Sequence, residues 1–224
     1  MKQTFAYLRY FFYLAYNWNI RIAIHVIRNE IKGEKKYGIQ TTGADELQVL
    51  EDKGIDISHA TIYMPAGYDL LEILLKEIQA FKPVHFIDIG CGKGRAMCVA
   101  AHYGIPKITG IDFSKELAEA ARNNMAHTQG LFPAQQYKVI HNDAFYFDIP
   151  EDADCIFFFN PFDEVIMLGV IGNIEKSIRL HKRTLYIVYI NPLHKDLFLQ
   201  HGYREIFHTK KMKYLEASIL KKGR

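Results

Sequence analysis

Three alternate glycines, Gly90, Gly92 and Gly94, stand between an apolar run and a helical pattern. Glycine has no Cβ, so such a loop can turn tightly and bring its backbone close to a ligand. A helix that begins next, near Arg95, offers free N–H groups to a carboxylate or another anion. The loop therefore predicts a site for a small ligand, with Asp88 at the end of the preceding strand beside it.

Two common glycine loops do not fit this spacing. A dinucleotide-binding fingerprint needs glycine at its first, third and sixth positions. The sixth residue is Arg95 when counted from Gly90, and Met97 when counted from Gly92. A P-loop closes with Gly-Lys followed by Ser or Thr, and no such ending closes this loop. The spacing therefore favours neither NAD nor a nucleoside triphosphate.

The spacing does match acidic-x-Gly-x-Gly-x-Gly, the first motif of class I methyltransferases that use S-adenosylmethionine (SAM). From about Tyr63 to its C-terminus, the chain resembles this seven-strand, Rossmann-like family. The resemblance implies SAM as the cofactor and methyl transfer as the activity. It also implies that Asp88 lies near the SAM amino group. The loop residues that it places around the methionine end of SAM are Gly90, Cys91, Gly92 and Gly94.

Two further acids stand at the ends of predicted strands. Asp112 comes 18 residues after Gly94, where the family has an acid that accepts hydrogen bonds from both ribose hydroxyls. A carboxylate suits this role because it has two oxygens for two neighbouring donors. Phe113 resembles the apolar residue on the adenine face. Asp143, followed by Ala144, resembles the acid that accepts from the adenine amino group.

The next predicted strand ends in Asn160-Pro161-Phe162. This run resembles the Asn/Asp-Pro-Pro-aromatic motif of amino-directed methyltransferases, although it lacks the second proline. Pro161 still restrains Asn160 to an extended conformation, and Phe162 is expected to form a wall of the acceptor pocket. The resemblance thus implies methyl transfer to an amine of a protein side chain or a small molecule.

Other functions stay open at this stage. An O- or C-methyltransferase, or an aminopropyl-type transferase, would use the same fold. A non-catalytic module that binds SAM, or that associates with membranes through its N-terminal helices, is the alternative from another functional class. The residues do not identify the methyl acceptor.

Short apolar runs alternate with longer segments of helical periodicity, a pattern typical of βαβ units. The strands and helices of these units are expected to position the residues named above. The predicted strands are Val84–Ile89, Lys107–Asp112, Tyr137–Asn142, Asp154–Asn160 and Thr184–Asn191. The predicted helices are Gly67–Phe81, Gly94–Tyr103, Ser114–Thr128 and Asp163–Ile178, and the predicted hairpin pairs Tyr203–His208 with Tyr214–Lys221. The resemblance implies an α/β fold with a mostly parallel seven-strand sheet of order 3-2-1-4-5-7-6, the last strand antiparallel and helices on both faces.

The first 31 residues or so differ from the rest. They hold eight aromatic residues between Phe5 and Trp18, interleaved with basic ones, and predict one or two amphipathic helices. Glycines and charges over residues 32–59 predict a linker of turns. We therefore expect an N-terminal helical cap and linker over residues 1–60 and a SAM-binding domain over residues 61–224. The helices are expected to cover the cofactor crevice, with a dimer contact or a weak membrane-surface contact as alternatives.

Composition adds broad limits. The 224 residues are 49% hydrophobic, with a net charge of +3, which is a mild basic excess that does not favour nucleic acid as a partner. The three cysteines are Cys91, Cys98 and Cys155, an odd number without metal-ligand spacing, so neither a disulfide framework nor a metal site is expected. The apolar run of residues 10–16 is short for a membrane span. These features favour a cytoplasmic protein.

Overall fold

Seven β-strands form one sheet in the computed structural model, which describes residues 2–42, 65–159, 162–211 and 215–223. The strand order is β3-β2-β1-β4-β5-β7-β6. The first five strands pair in parallel, and β7 is antiparallel to both β5 and β6, so the predicted topology is confirmed. The strands are β1 (His85–Ile89), β2 (Lys107–Asp112), β3 (Gln136–His141), β4 (Cys155–Phe159), β5 (Leu185–Ile190), β6 (Arg204–Lys211) and β7 (Leu215–Lys222).

Helices connect these strands and precede them. Within the described residues they are α1 (Lys2–Asn17), α2 (Ile20–Tyr37), α3 (Tyr68–Gln79), α4 (Arg95–His102), α5 (Lys115–Leu131), α6 (Glu164–Leu180) and α7 (Lys195–Gln200). Side chains fix where two of the long helices begin. The Ser114 hydroxyl accepts from the N–H of Leu117 at 3.3 Å, and the Asp163 carboxylate accepts from the N–H of Ile166 at 3.1 Å. Each satisfies a backbone donor that a helix start would leave unpaired.

The alternation of side chains along the strands divides the core into two layers. Phe86 and Phe157 lie in the layer that contains the leucines of α3 and the first turns of α4. Ile87, Ile89 and Phe158 point to the opposite face and pack in the layer that contains α6. A parallel sheet is buried in this way because its crossover helices cover both faces. The carboxyl ends of β1 to β5 consequently meet at one edge.

The structure differs locally from the sequence predictions. The expected linker does not begin at Lys32, because α2 continues to Tyr37 and ends at Gly38, whose φ is 68°. Gly33, one of the glycines on which the linker prediction depends, lies inside α2. A Cβ there would come within 2.2 Å of a ring carbon of Tyr68, so glycine permits close helix packing instead. The short helix α7 and the 3-10 turn of residues 144–146 were not predicted.

Some expectations fall on residues outside the described ranges. These are the remainder of the linker from residue 43, the boundary between residues 60 and 61, the start of the resemblance at Tyr63, and Tyr214 of the tail hairpin. No helix among the described residues is long and apolar enough to cross a membrane.

Candidate functional site

The glycine loop connects β1 to α4 and is attached to the end of β2. Gly90, Gly92 and Gly94 all have positive φ, at 78°, 52° and 79°, a region that side chains rarely adopt. The N–H groups of Gly90 and Cys91 both donate to the carbonyl of Ile111 at 2.9 Å. The loop is therefore folded into a defined turn whose backbone is held at the carboxyl edge of the sheet.

Asp112 presents its carboxylate directly to this loop. Its Oδ2 accepts from the N–H of Gly92 at 2.7 Å, and its Oδ1 accepts from the N–H of Ser114 at 2.9 Å. Burial raises the pKa of this carboxyl, and the two N–H donors partly oppose that rise. Each oxygen keeps a second lone pair for a further donor. Asp112 thus positions the loop while it can still accept from a ligand, and sequence reasoning had foreseen only the second role.

Asp88 lies one strand away, in register with Gly110 of β2 and Phe157 of β4. Its side chain is buried, and no hydrogen bond reaches its carboxylate from the described part of the chain. Burial, and then the nearby charge of Asp112, raise the pKa of Asp88 to about 8. A cationic group beside Asp88 would favour the ionised form. The position therefore suits an ammonium group of a ligand.

The residues after β2 and β3 complete this end of the sheet. Phe113 is partly buried, and its carbonyl accepts from Nε2 of His141 at 3.0 Å. Asp143 is exposed, and its Oδ1 accepts from the N–H of Phe145 at 2.8 Å, while Ala144 is buried. The structure therefore places the predicted cofactor residues at the ends of three adjacent strands, in the order β3, β2, β1.

The predicted catalytic run lies partly outside the described residues, which omit Asn160 and Pro161. The residues on either side are described. Phe159 ends β4 and borders a cavity. Phe162 is partly buried and packs against the core layer that contains α6, and it is not among the described residues that line this cavity.

The cavity opens at the carboxyl ends of β4 and β5 and has a volume of about 150 Å³, which is room for about five water molecules. Its apolar walls include Tyr10, Leu14 and Trp18 from the N-terminal segment, with Phe159 and Ile190 from the sheet. The polar residues of its lining are His25, Asn29, Glu30, Asp69, Asn191 and Glu216. Lysine and arginine are absent from the part of the lining that the structure describes.

Asn191 is a cavity residue that sequence reasoning did not select. It follows β5 with a φ of 51°, a left-handed conformation that asparagine tolerates better than most residues. Its N–H donates to the carbonyl of Glu216 at 2.8 Å, which joins the ends of β5 and β7. The signal available in the sequence was the pair Asn191-Pro192, which repeats the Asn-Pro of the preceding strand end.

A buried ion pair joins the loop region to the N-terminal helices. Arg95, the first residue of α4, donates from Nη1 to Oε1 of Glu30 at 2.7 Å and from Nη2 to Oε2 at 2.5 Å. Its Nε donates to the hydroxyl of Thr41 at 2.8 Å, and its guanidinium lies 4.0 Å from the ring centre of Tyr68. Both charged side chains are almost fully buried, at 3% and 1% exposure. The guanidinium of Arg95 is therefore bonded to α2 through Glu30, a partner that the sequence did not reveal.

Comparison with known proteins identifies the kind of domain that holds this site. Residues 86–176 match a family described as "Methyltransferase domain", and this stretch contains the glycine loop and all three strand-end acids. Together with the seven-strand topology, the match identifies residues 86–176 as part of a class I SAM-dependent methyltransferase domain. Its cofactor is SAM, as the sequence had indicated. No curated protein matches the sequence of this methyltransferase.

Solved structures share the fold of this methyltransferase at low sequence identity. A ribosomal protein L11 methylase from Lactobacillus delbrueckii subsp. bulgaricus is 15% identical, with a TM-score of 0.52 over 74% of this chain and 82% of that chain. A SAM-dependent methyltransferase from Aquifex aeolicus is 16% identical, with a TM-score of 0.51 over 67% and 88%. The Pyrococcus abyssi tRNA (uracil-54, C5)-methyltransferase, solved with S-adenosyl-L-homocysteine, is 14% identical, with a TM-score of 0.52 over 71% and 39%.

These structures differ in the acceptors that their names record. One is named for a ribosomal protein and another for tRNA. Because the shared fold accommodates both, the likeness does not determine which atom this methyltransferase modifies. The acceptor must be inferred from the site itself.

Proposed function

We propose that this methyltransferase transfers its methyl group to an amine nitrogen of a protein side chain or a small molecule. The observation that carries the proposal is the cavity beside the end of β4. It combines aromatic walls with carboxylate and amide oxygens, and it lies at the sheet edge that holds the glycine loop. The position agrees with the general rule that ligands of open α/β sheets bind outside the carboxyl ends of the strands.

The cofactor residues fit SAM in charge and in hydrogen-bonding capacity. In the proposal, Asp112 accepts from the ribose hydroxyls through its remaining lone pairs, and Asp88 faces the amino group. Asp143 accepts from the adenine amino group, and Phe113 packs on the adenine face. The loop residues Gly90, Cys91, Gly92 and Gly94, together with Ala144 after β3, provide close backbone contact. When bound, SAM supplies a methyl group that its sulfonium has already activated for transfer.

The cavity lining favours an amine over an anionic acceptor. Glu30, Asp69 and Glu216 contribute carboxylates to it. Each also has a basic partner: Arg95 for Glu30, His25 and Lys211 for Asp69, and His208 and Lys210 for Glu216. The described lining thus presents oxygens that accept from N–H groups, whereas a phosphate would find carboxylates at close range. For the same reason the proposal does not favour nucleic acid as the acceptor.

Asn160 and Pro161 are proposed to orient the amine. They directly follow Phe159, which borders the cavity. The side-chain oxygen of Asn160 and the carbonyl of Pro161 would accept from the amine protons and thereby direct its lone pair at the methyl carbon. An amine that is neutral when bound needs no strong base, whereas a hydroxyl must lose its proton. Phe162 is proposed to support this end of β4.

We divide the chain into an N-terminal segment, residues 1–60, and a SAM-binding domain, residues 61–224. The N-terminal segment is proposed to act as a cap. Support comes from Tyr10, Leu14 and Trp18, which line the cavity, and from the pairing of Glu30 with Arg95. Glu30 also lines the cavity, so one side chain connects the cap, the acceptor pocket and the start of α4. A cytoplasmic location remains a prediction from the cysteine content.

The test uses a panel of amine and hydroxyl acceptors, including lysine-containing peptides and small primary amines, with S-adenosylhomocysteine formation as the readout. We expect turnover with amines only. With an active amine, Asn160→Ala should lower turnover by about ten- to a thousandfold with little change in SAM affinity. Asp112→Ala should instead weaken SAM binding by about tenfold or more, because ribose and loop both lose an acceptor.

Three results would contradict the proposal. Methylation of a hydroxyl or carbon acceptor in preference to every amine would overturn the assignment of the acceptor. Equal losses of SAM affinity and turnover in Asn160→Ala would make that residue part of the cofactor site. Unchanged turnover in Asn160→Ala would remove it from the reaction.

A further inference from the structure

The outward face of α1 is apolar and uncovered. Phe5, Leu8, Phe12 and Tyr16 are 72%, 53%, 66% and 92% exposed. Their spacing of three or four residues puts them on one side of the helix. The opposite side of α1 carries Tyr10 and Leu14, which are buried against α2 and the cavity. The two sides of α1 therefore differ: one is packed inside the protein and the other is exposed.

The second helix continues this pattern. Ile20, Ile24 and Ile31 of α2 are 60%, 40% and 47% exposed, and Trp18 between the two helices is 46% exposed. Ile20, Ile24 and Ile31 share one side of α2 by their helical spacing. We call the exposed apolar residues of α1 and α2, with Trp18, the outer surface: Phe5, Leu8, Phe12, Tyr16, Trp18, Ile20, Ile24 and Ile31.

The exposed charged residues that the structure describes on α1 and α2 are all basic. Residues 1–42 contain seven lysines and arginines and two glutamates, a formal charge of +5 in a chain whose total is +3. Both glutamates are buried: Glu30 pairs with Arg95, and Glu34 accepts from the N–H groups of Thr41 and Thr42 at 2.6 Å. The exposed charged residues of the two helices are Arg9, Arg21, Arg28, Lys32, Lys35 and Lys36.

We propose that the outer surface binds an anionic membrane surface. Helices that combine exposed aromatic and aliphatic residues with basic side chains lie in the lipid interface, where the apolar residues insert and the basic ones contact anionic headgroups. Aromatic rings are also favoured at this depth. A second copy of the chain is a poorer occupant, because it would bring two surfaces of the same positive charge together.

This binding is independent of the identity of the methyl acceptor, but it bears on where the acceptor is found. The helices that carry the outer surface also line the acceptor cavity through Tyr10 and Leu14. Binding would hold the cavity close to the lipid surface while the catalytic domain remains in water. The enzyme would then meet acceptors that are attached to, or concentrated at, the membrane.

The test measures co-sedimentation of the full chain with vesicles of phosphatidylcholine alone or mixed with phosphatidylglycerol. We expect binding only to the mixed vesicles, with a strong loss at high salt. Phe12→Ser and Tyr16→Ser should each weaken it by about tenfold, because each removes a large apolar group from the interface. Arg28→Gln combined with Lys32→Gln should remove much of the preference for phosphatidylglycerol.

Matched controls lie on α6 and just after it. Leu180 is 65% exposed, and Lys182 is exposed outside the outer surface, so Leu180→Ser and Lys182→Gln should leave vesicle binding unchanged. Stabilisation by S-adenosylhomocysteine checks that each variant is folded. Because vesicle binding needs no acceptor, its outcome is separate from that of the amine assignment.

Two outcomes would overturn the inference. One is absence of binding to the mixed vesicles, or binding that the α1 variants leave intact. The other is a dimer in solution that Phe12→Ser dissociates while vesicles are not bound, which would make a second copy the occupant.

Discussion

Three carboxylates at neighbouring strand ends differ in how much of their hydrogen-bonding capacity the protein itself uses. Asp112 accepts two backbone N–H groups, Asp143 accepts one, and Asp88 accepts none from the described residues. A carboxylate without a donor in a buried position costs free energy when ionised. Asp88 is therefore the acid whose charge should respond most to the cofactor.

The pH dependence of stability should reveal Asp88. Its pKa is raised to about 8 in the folded chain, while an unfolded Asp titrates near 3.9. The folded state thus holds a proton that the unfolded state has lost between about pH 4 and pH 8. The contribution of Asp88 to the free energy of unfolding is fully present below the unfolded pKa. It is lost as pH rises through this window, by at most about 1.4 kcal/mol per pH unit.

The measurement is the free energy of unfolding in urea from pH 4 to pH 8 for the wild type and for Asp88→Asn. We expect the wild type to lose stability relative to Asp88→Asn as pH rises, because asparagine does not titrate. Saturating S-adenosylhomocysteine should reduce this relative loss, since its ammonium group would compensate the ionised carboxylate. Parallel pH profiles for the two proteins would contradict this, because they would show that Asp88 has the same pKa in the folded and unfolded states.

The sequence predicted the positions of these acids because parallel strands bring their carboxyl ends to one edge. It did not predict that Asp112 would support the glycine loop, because that bond depends on the folded turn at Gly92. It also missed Glu30 and Asn191, whose roles depend on contacts distant in sequence. Residue types and the order of strands can be read from the sequence. Hydrogen-bond and ion-pair partners that are distant in sequence become known only from the folded structure.

At the scale of elements, α2 and α4 are joined by the Glu30–Arg95 pair. Removing one partner of a buried pair leaves an uncompensated charge, which costs about 3–5 kcal/mol. We therefore expect Glu30→Ala to lower the free energy of unfolding by that amount. The double variant Glu30→Ala with Arg95→Ala should lose less free energy of unfolding than the sum of the two single losses. In the double variant both charges are absent, so no unpaired charge stays buried.

A double-mutant cycle in urea measures this coupling. Asp148 and Lys176 form an ion pair of 2.9 Å with 82% and 54% exposure, so Lys176→Ala provides the control and should change stability by about 0–1 kcal/mol. Additive effects of Glu30→Ala and Arg95→Ala would mean that α2 is not coupled to α4 through this pair.

The boundaries of elements show what the pattern of residues can specify. Strand β2 has the predicted bounds Lys107–Asp112, and the other four parallel strands differ from their predictions by at most one residue at each end. The sequence pattern mispredicts Gly33, because glycine occurs both in turns and where two helices pack closely. It also fails for short elements such as α7, which spans only six residues and gives little helical repeat.

At the scale of the whole molecule, the cofactor site exists only when strands β1, β2 and β3 are assembled. Its acids come from separate strand ends, and the glycine loop is bonded to the carbonyl of Ile111 on the neighbouring strand. An unfolded chain therefore has no binding site. A ligand that binds only the folded state must stabilise the entire fold.

SAM and S-adenosylhomocysteine should therefore raise the free energy of unfolding by about 2.7 kcal/mol at a hundredfold excess over the dissociation constant. For a chain of this size, that corresponds to a rise in Tm of about 5–10 °C. NAD should have no such effect, because Arg95, where a dinucleotide loop needs its third glycine, is instead buried against Glu30. Thermal unfolding with each ligand at equal concentration makes the comparison, and Asp112→Ala should show a smaller shift with S-adenosylhomocysteine. A shift with NAD that equals or exceeds the shift with S-adenosylhomocysteine would contradict the assignment of the loop.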